Sequence, residues 1–221
     1  MTSGASFPGD PVSRSLNADR AASWPDDLPE SMYTTVVAVD VVGFGDPQRT
    51  NDAQRVLRAQ LYHALEAAFA MTLLPWRQCY SEDRGDGVMI IGPPAIPSYL
   101  FTDPLAHHLT AVLRRCNQLA GLRTHMRLRM AVHHGLVQRD AHGVSGRALT
   151  LLYRLLEAPM FKQKLAETRA DLGLIVSDQL YADVISQGGL IDTAAYQAVA
   201  CILKETSAQG WVWFPPTPGP V

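Results

Sequence analysis

Cysteine is scarce: Cys79, Cys116 and Cys201 are the only three in 221 residues. An odd number at such wide spacing does not frame a disulfide scaffold, so the three read as buried thiols of a reducing compartment. Excess charge is missing too. Lys and Arg number 19 against 21 Asp and Glu, a formal net charge of −2. Neutralising nucleic-acid phosphates, or lying on an anionic membrane, needs a basic surface that this balance does not supply. No uninterrupted apolar run approaches the ~18–20 residues that cross a bilayer. The opening MTSGASFPGDPVSRSLNADR has no apolar stretch of a secretory signal. The expectation is a cytoplasmic protein with no nucleic-acid partner and no membrane insertion. There is no Gly-rich Walker loop and no Ser-His-Asp order. Nor do His107, His108, His133, His134 and His142 repeat any spacing that would suggest zinc.

The apolar content, 47% against 18% charged residues, is ample for one core in a chain of this length. Residues 1–30, rich in Ser, Pro, Asp, Ala and Gly, read as a flexible leader. Residues 31–215 form one domain, and residues 216–221 a Pro-rich tail. Within the domain, TTVVAVDVV is a β-branched run typical of a buried strand. A helix follows over 51–70, with Val56, Leu57, Leu61, Leu65 and Phe69 inward and Thr50 or Asn51 as its cap. RQCYSE and VMIIG flank DRGDG, the pattern of a hairpin. A second helix spans 104–119 with Leu105, Leu109, Val112 and Leu113 inward. HMRLRMAVHHGLV alternates apolar and basic residues, which predicts a strand with one buried face. RALTLLYRLLE is helical and stops near Pro159. GLIVS is a short strand before a helix capped by Ser177 or Asp178, and YQAVACILK and WVWF make a last strand pair. This order predicts an α/β (α+β) sandwich with a ferredoxin-like βαββαβ core and a largely antiparallel sheet.

Four segments carry candidate chemistry. Asp40 ends the first strand and is followed by VVGFG. A carboxylate at a strand mouth suits a hard cation, and Gly43 and Gly45 would let backbone N–H groups approach phosphate oxygens. An Asp that merely caps the turn reads equally well from that segment alone. Asp86 lies in the hairpin turn. If the two strands are neighbours, the two carboxylates form a pair able to hold two ions; in isolation it is only a good turn residue. Thr150 and Arg154, four apart, share one helix face, where a guanidinium either reaches phosphate charge or merely snorkels to solvent. Lys204 closes the last long strand.

Taken together and in order, VVAVDVVGFG, EDRGDGVMII, LRMAVHHGLV and GRALTLLYRL resemble the catalytic domains of class III adenylate and guanylate cyclases, over about Tyr33 to Phe214. The resemblance implies two Mg²⁺ or Mn²⁺ ions held by Asp40, Asp86 and the backbone of Val41, with phosphates near Gly43, Phe44 and Gly45. His133 and Gly135 match the His-x-Gly end of the family's strand. It implies Arg154 as the transition-state arginine, Thr150 where the family usually has Asn, and Lys204 as a triphosphate-binding lysine. Glu82 stands at a base-reading position, as in guanylate cyclases, but its partner position is Gly143, which reads nothing by itself. The implied reaction cyclises a nucleoside triphosphate to a 3′,5′-cyclic nucleotide and pyrophosphate at a head-to-tail homodimer, with a separate effector protein for the product. Compact stand-alone cyclases include the pyrimidine cyclases of bacterial anti-phage signalling, so UTP and CTP join ATP and GTP as substrates. The alternative is a catalytically reduced cyclase-like domain that binds nucleotide or regulates a partner.

Overall fold

Between Thr34 and Val41 every residue of the first strand, β1 (Ser31–Val41), is buried, because apolar and β-branched side chains fill both of its faces. This computed structural model describes residues 24–25, 28–189, 191–203 and 206–216. After β1 come α1 (Asn51–Met71), β2 (Tyr80–Asp83), β3 (Gly87–Ile91), α2 (Asp103–Gln118), β4 (Leu128–Asp140), β5 (Gly143–Ser145) and α3 (Arg147–Leu156). Then follow α4 (Pro159–Glu167), β6 (Leu172–Ser177), α5 (Asp178–Asp183), β7 (Gln197–Leu203) and β8 (Thr206–Trp213). The strands form one sheet in the order β2-β3-β1-β4-β6-β8-β7, with β5 paired to the far end of β4. Only the β4–β6 pairing is parallel among these. The first six elements are the expected βαββαβ unit, with β1 at its centre.

Helices cover both faces. On one, α1 buries Leu57, Leu61, Leu65 and Phe69, and α2 buries Leu105, Leu109 and Leu113, against Val37, Val39, Ile90, Met130 and Val132. Each fully buried side chain of this size contributes roughly 1.5–3 kcal/mol. On the other, Leu149, Leu152, Leu155 and Phe161 of α3 and α4 pack on Val36, Ala38, Met89, Ala131 and Ile175. The alternation along β1 therefore places Asp40, in phase with Val36 and Ala38, on the α3 face.

Four details depart from the sequence reading. Val56 is 44% exposed, because the buried stripe of α1 runs through Ala53, Leu57 and Leu61 and leaves its neighbour outside. The strand at β4 is covered on both faces rather than one: it is central, and its basic residues find fixed acceptors. Arg129, for instance, donates to the Asp40 carboxylate, and Arg127, just before the strand, donates to the carbonyls of Ala170 at 3.0 Å and Leu165 at 2.7 Å. The helix over RALTLLYRLLE stops before Pro159 as expected, but Pro159 then starts a further helix, α4, that was not expected; its missing N–H is harmless in a first turn. Finally, Trp24 and Leu28, assigned to the leader, are buried: the Trp24 indole donates to the Leu28 carbonyl at 2.8 Å, and its ring sits 5.2 Å from Tyr80.

Candidate active site

Asp40 lies one residue from the end of β1, opposite Gly87 on β3 and Arg129 on β4. The approach of β3 is very close. A Cβ on Gly87 would lie 2.3 Å from the Val39 carbonyl oxygen and 3.0 Å from the Asp40 Cβ, so no larger residue fits. One step along, the Val41 N–H donates to the Asp86 carbonyl at 2.9 Å. The turn that carries Asp86 is thus stitched to the strand that carries Asp40. Its outer side is pinned as well: the α1 residue Arg58 grips both oxygens of Asp83 at 3.0 and 2.6 Å and also donates to the Gly85 carbonyl. Tyr62 adds a hydroxyl at 2.7 Å from Asp83.

The Asp40 side chain is 11% exposed. Arg129 chelates it, Nε to Oδ1 at 2.9 Å and Nη2 to Oδ2 at 2.5 Å. Glu157, just past α3, places Oε1 3.2 Å from the same Nη2, and its Oε2 accepts from Lys162 at 2.5 Å. Charges alternate along this row. Burial nevertheless pushes the Asp40 carboxyl above its usual range; Arg129 pulls the other way, and the charges of Asp86 and Glu157 add to the rise. Glu157 moves down: burial would raise it, but Lys162 and Arg129 outweigh that. Burial therefore disfavours the charged form of Asp40 even with a guanidinium in place.

After Val41 the chain makes two consecutive turns, Phe44 N–H to the Val41 carbonyl at 3.2 Å and Asp46 N–H to the Gly43 carbonyl at 3.1 Å. Gly43 takes φ of 64°, the left-handed region that favours glycine. Phe44 packs partly against the α1-side core, while space around Gly45 is open. Arg49 bolts the loop down by donating to the carbonyls of Val42 at 3.0 Å and His125 at 3.1 Å.

Glu82 on β2 accepts from the Tyr80 hydroxyl at 2.9 Å and pairs with Arg84 at 3.2 Å; Arg84 in turn lies 5.3 Å over the Tyr153 ring of α3. Thr150 is exposed on α3, its hydroxyl 3.5 Å from the Gly146 carbonyl, and Arg154 is half-buried one turn on. Gly143 opens β5 with φ of 126°. Lys204 lies outside the described residues. Sequence reasoning missed Arg129 and Glu157. An arginine inside the apolar run LRMAV was the available signal, since a charge at mid-sheet requires a partner.

The donors around Asp40 suit a hard divalent ion: two carboxylates and the backbone of Val41 are all oxygen. Arg129 already stands in as a cation on the buried carboxylate. No group of three or more His, Cys, Asp or Glu converges among the described residues, so other oxygens would have to come from a bound phosphate or water.

No protein-family model matches the sequence, and no curated protein matches it. Solved structures do match in shape. An adenylate/guanylate cyclase/hydrolase from Silicibacter pomeroyi is similar with a TM-score of 0.57 at 14% identity, over 86% of this chain and all of that one. The guanylate cyclase domain of RhGC from Catenaria anguillulae, in complex with GTP, gives 0.53 at 15% identity over 85% and 98%. A bacterial light-regulated adenylyl cyclase gives 0.53 at 9% over 83% and 90%. The chain has the class III nucleotidyl cyclase fold. In this cyclase fold, the sheet face under α3 carries Asp40 and its row of charges, and no helix among the described residues is long and apolar enough to cross a membrane.

Proposed function

We propose that this protein is a nucleotidyl cyclase, converting a nucleoside triphosphate to a 3′,5′-cyclic nucleotide and pyrophosphate in a homodimer. The observation that carries the reading is Asp40: a buried carboxylate at the end of the central strand, stitched through Val41 to the turn of Asp86. Two divalent ions there, Mg²⁺ or Mn²⁺, would acidify the ribose 3′-hydroxyl and offset charge on the phosphates. Asp40, Asp86 and the Val41 carbonyl would hold them. The turns through Gly43, Phe44 and Gly45 would bring backbone N–H groups to the phosphate oxygens. Glu82, held by Tyr80 and Arg84, would accept from the base. Thr150 and Arg154 of a second copy would face the ribose and the charge developing on phosphorus, with Lys204 on the departing pyrophosphate.

A catalytically reduced domain is the second reading. It is favoured by Arg129 filling both oxygens of Asp40 and by Thr150, whose hydroxyl is shorter and offers fewer donors than an amide. Incubation with Mn²⁺ and each of ATP, GTP, UTP and CTP separates the two. Cyclic product from one of them supports the cyclase; nucleotide affinity measured by calorimetry without turnover supports the reduced domain.

A further inference from the structure

Arg129 sits between two carboxylates, and both of its possible partners are within reach of one nitrogen. Nη2 is 2.5 Å from Asp40 and 3.2 Å from Glu157. With Nε 2.9 Å from the other Asp40 oxygen, the guanidinium takes the fork-to-fork geometry that is strongest for this pair. It is also enclosed, with a side chain only 14% exposed. Each Asp40 oxygen therefore already accepts one bond from the guanidinium. On the far side stand acceptors with spare capacity: Glu157, itself held in place by Lys162, and the Leu156 carbonyl, 3.5 Å from Nη1.

We propose that Arg129 is a positioning residue that latches Asp40 shut, and that a divalent ion enters the site only as Arg129 shifts from Asp40 onto Glu157. This rests on the reading of Asp40 as a metal-holding carboxylate. The physical reason is competition for the same buried carboxylate. An ion on Asp40 would sit beside a guanidinium that already bonds both oxygens, and the two cations repel at such short range. Glu157 offsets this by giving the displaced charge a partner close by, so the guanidinium is never left buried and unpaired. The latch thus lowers the affinity for metal alone and leaves the fold intact.

The test is Mn²⁺ affinity without nucleotide, read by electron paramagnetic resonance of free Mn²⁺, on the wild type, Arg129→Gln, Arg129→Lys, Glu157→Gln and Asp40→Asn. The latch predicts about tenfold tighter binding in Arg129→Gln, a smaller gain in Arg129→Lys, which cannot chelate, and weaker binding in Glu157→Gln. A merely structural arginine would instead weaken binding, or leave it unchanged, when replaced. That result, with Mn²⁺ still lost in Asp40→Asn, overturns the latch while sparing the metal site. Equal Mn²⁺ binding in the wild type and Asp40→Asn, or none in any variant, overturns both. Should Arg129→Gln fail to fold, Arg129→Lys and Glu157→Gln still decide, because they must move in opposite directions.

Discussion

His133 is 5% exposed, with its Nδ1 2.7 Å from the Ser177 hydroxyl, in the segment that also packs α3. Burial, helped by the neighbouring His134, pushes its pKa down from 6.5 to about 4. The folded state thus favours the neutral ring. Its stabilising share is complete above the unfolded value of 6.5 and is lost as pH falls towards 4. Between pH 7.5 and 4.5 the loss should be about 2 kcal/mol, and His133→Gln should remove that part of the slope in urea unfolding curves. Asp40 acts in the opposite sense, since its raised pKa makes acid less harmful. At Gly87 the expectation is steric: Gly87→Ala should cost about 1–3 kcal/mol or force β3 away from β1, read from the denaturation midpoint. At this scale the sequence spoke unevenly. Asp40 was legible because a lone carboxylate ended an apolar strand. Arg129 was fainter: its place inside the apolar run LRMAV hinted at a partner, but an alternating Arg pattern looks the same whether it meets water or a partner across the sheet.

Elements were more legible than their surroundings. The period-two and 3.6-residue patterns placed β1, α1, the β2–β3 hairpin and α2 close to where they lie, and Thr50 caps α1 as read. The start of α4 escaped because Pro159 can end one helix or begin another, and only packing of Phe161 and Leu165 decides. The double burial of β4 escaped because helix layers built from distant residues do the covering. The hairpin itself supports a prediction. Its turn is held to α1 by Arg58 and Asp83, whose side chains are 37% and 43% exposed. Asp83→Asn should therefore cost less than about 1 kcal/mol of stability, because a pair so open to solvent is well screened. It should nevertheless weaken Mn²⁺ binding, since the turn bearing Asp86 loses its anchor. Chemical denaturation and Mn²⁺ titration on the same variant check both halves.

For the whole molecule, the ferredoxin-like half follows from element order. The later strands required the structure, since β6 slots in parallel beside β4 and β8 then lies between β6 and β7. The class III cyclase fold brings Asp40 and the Asp86 turn to one end of the sheet, with α3 on the face above Asp40. In the proposed homodimer, Thr150 and Arg154 of α3 would serve a second copy. The most direct measurement is Mn²⁺-dependent conversion of the four ribonucleoside triphosphates, followed by chromatography of the products, with wild type and Asp40→Ala compared as folded dimers. A cyclic mononucleotide and equimolar pyrophosphate are expected from at least one triphosphate, with the rate lowered at least about a hundredfold in Asp40→Ala. Cyclic product that persists undiminished without the Asp40 carboxylate, or none from folded dimeric wild type, would contradict the cyclase reading.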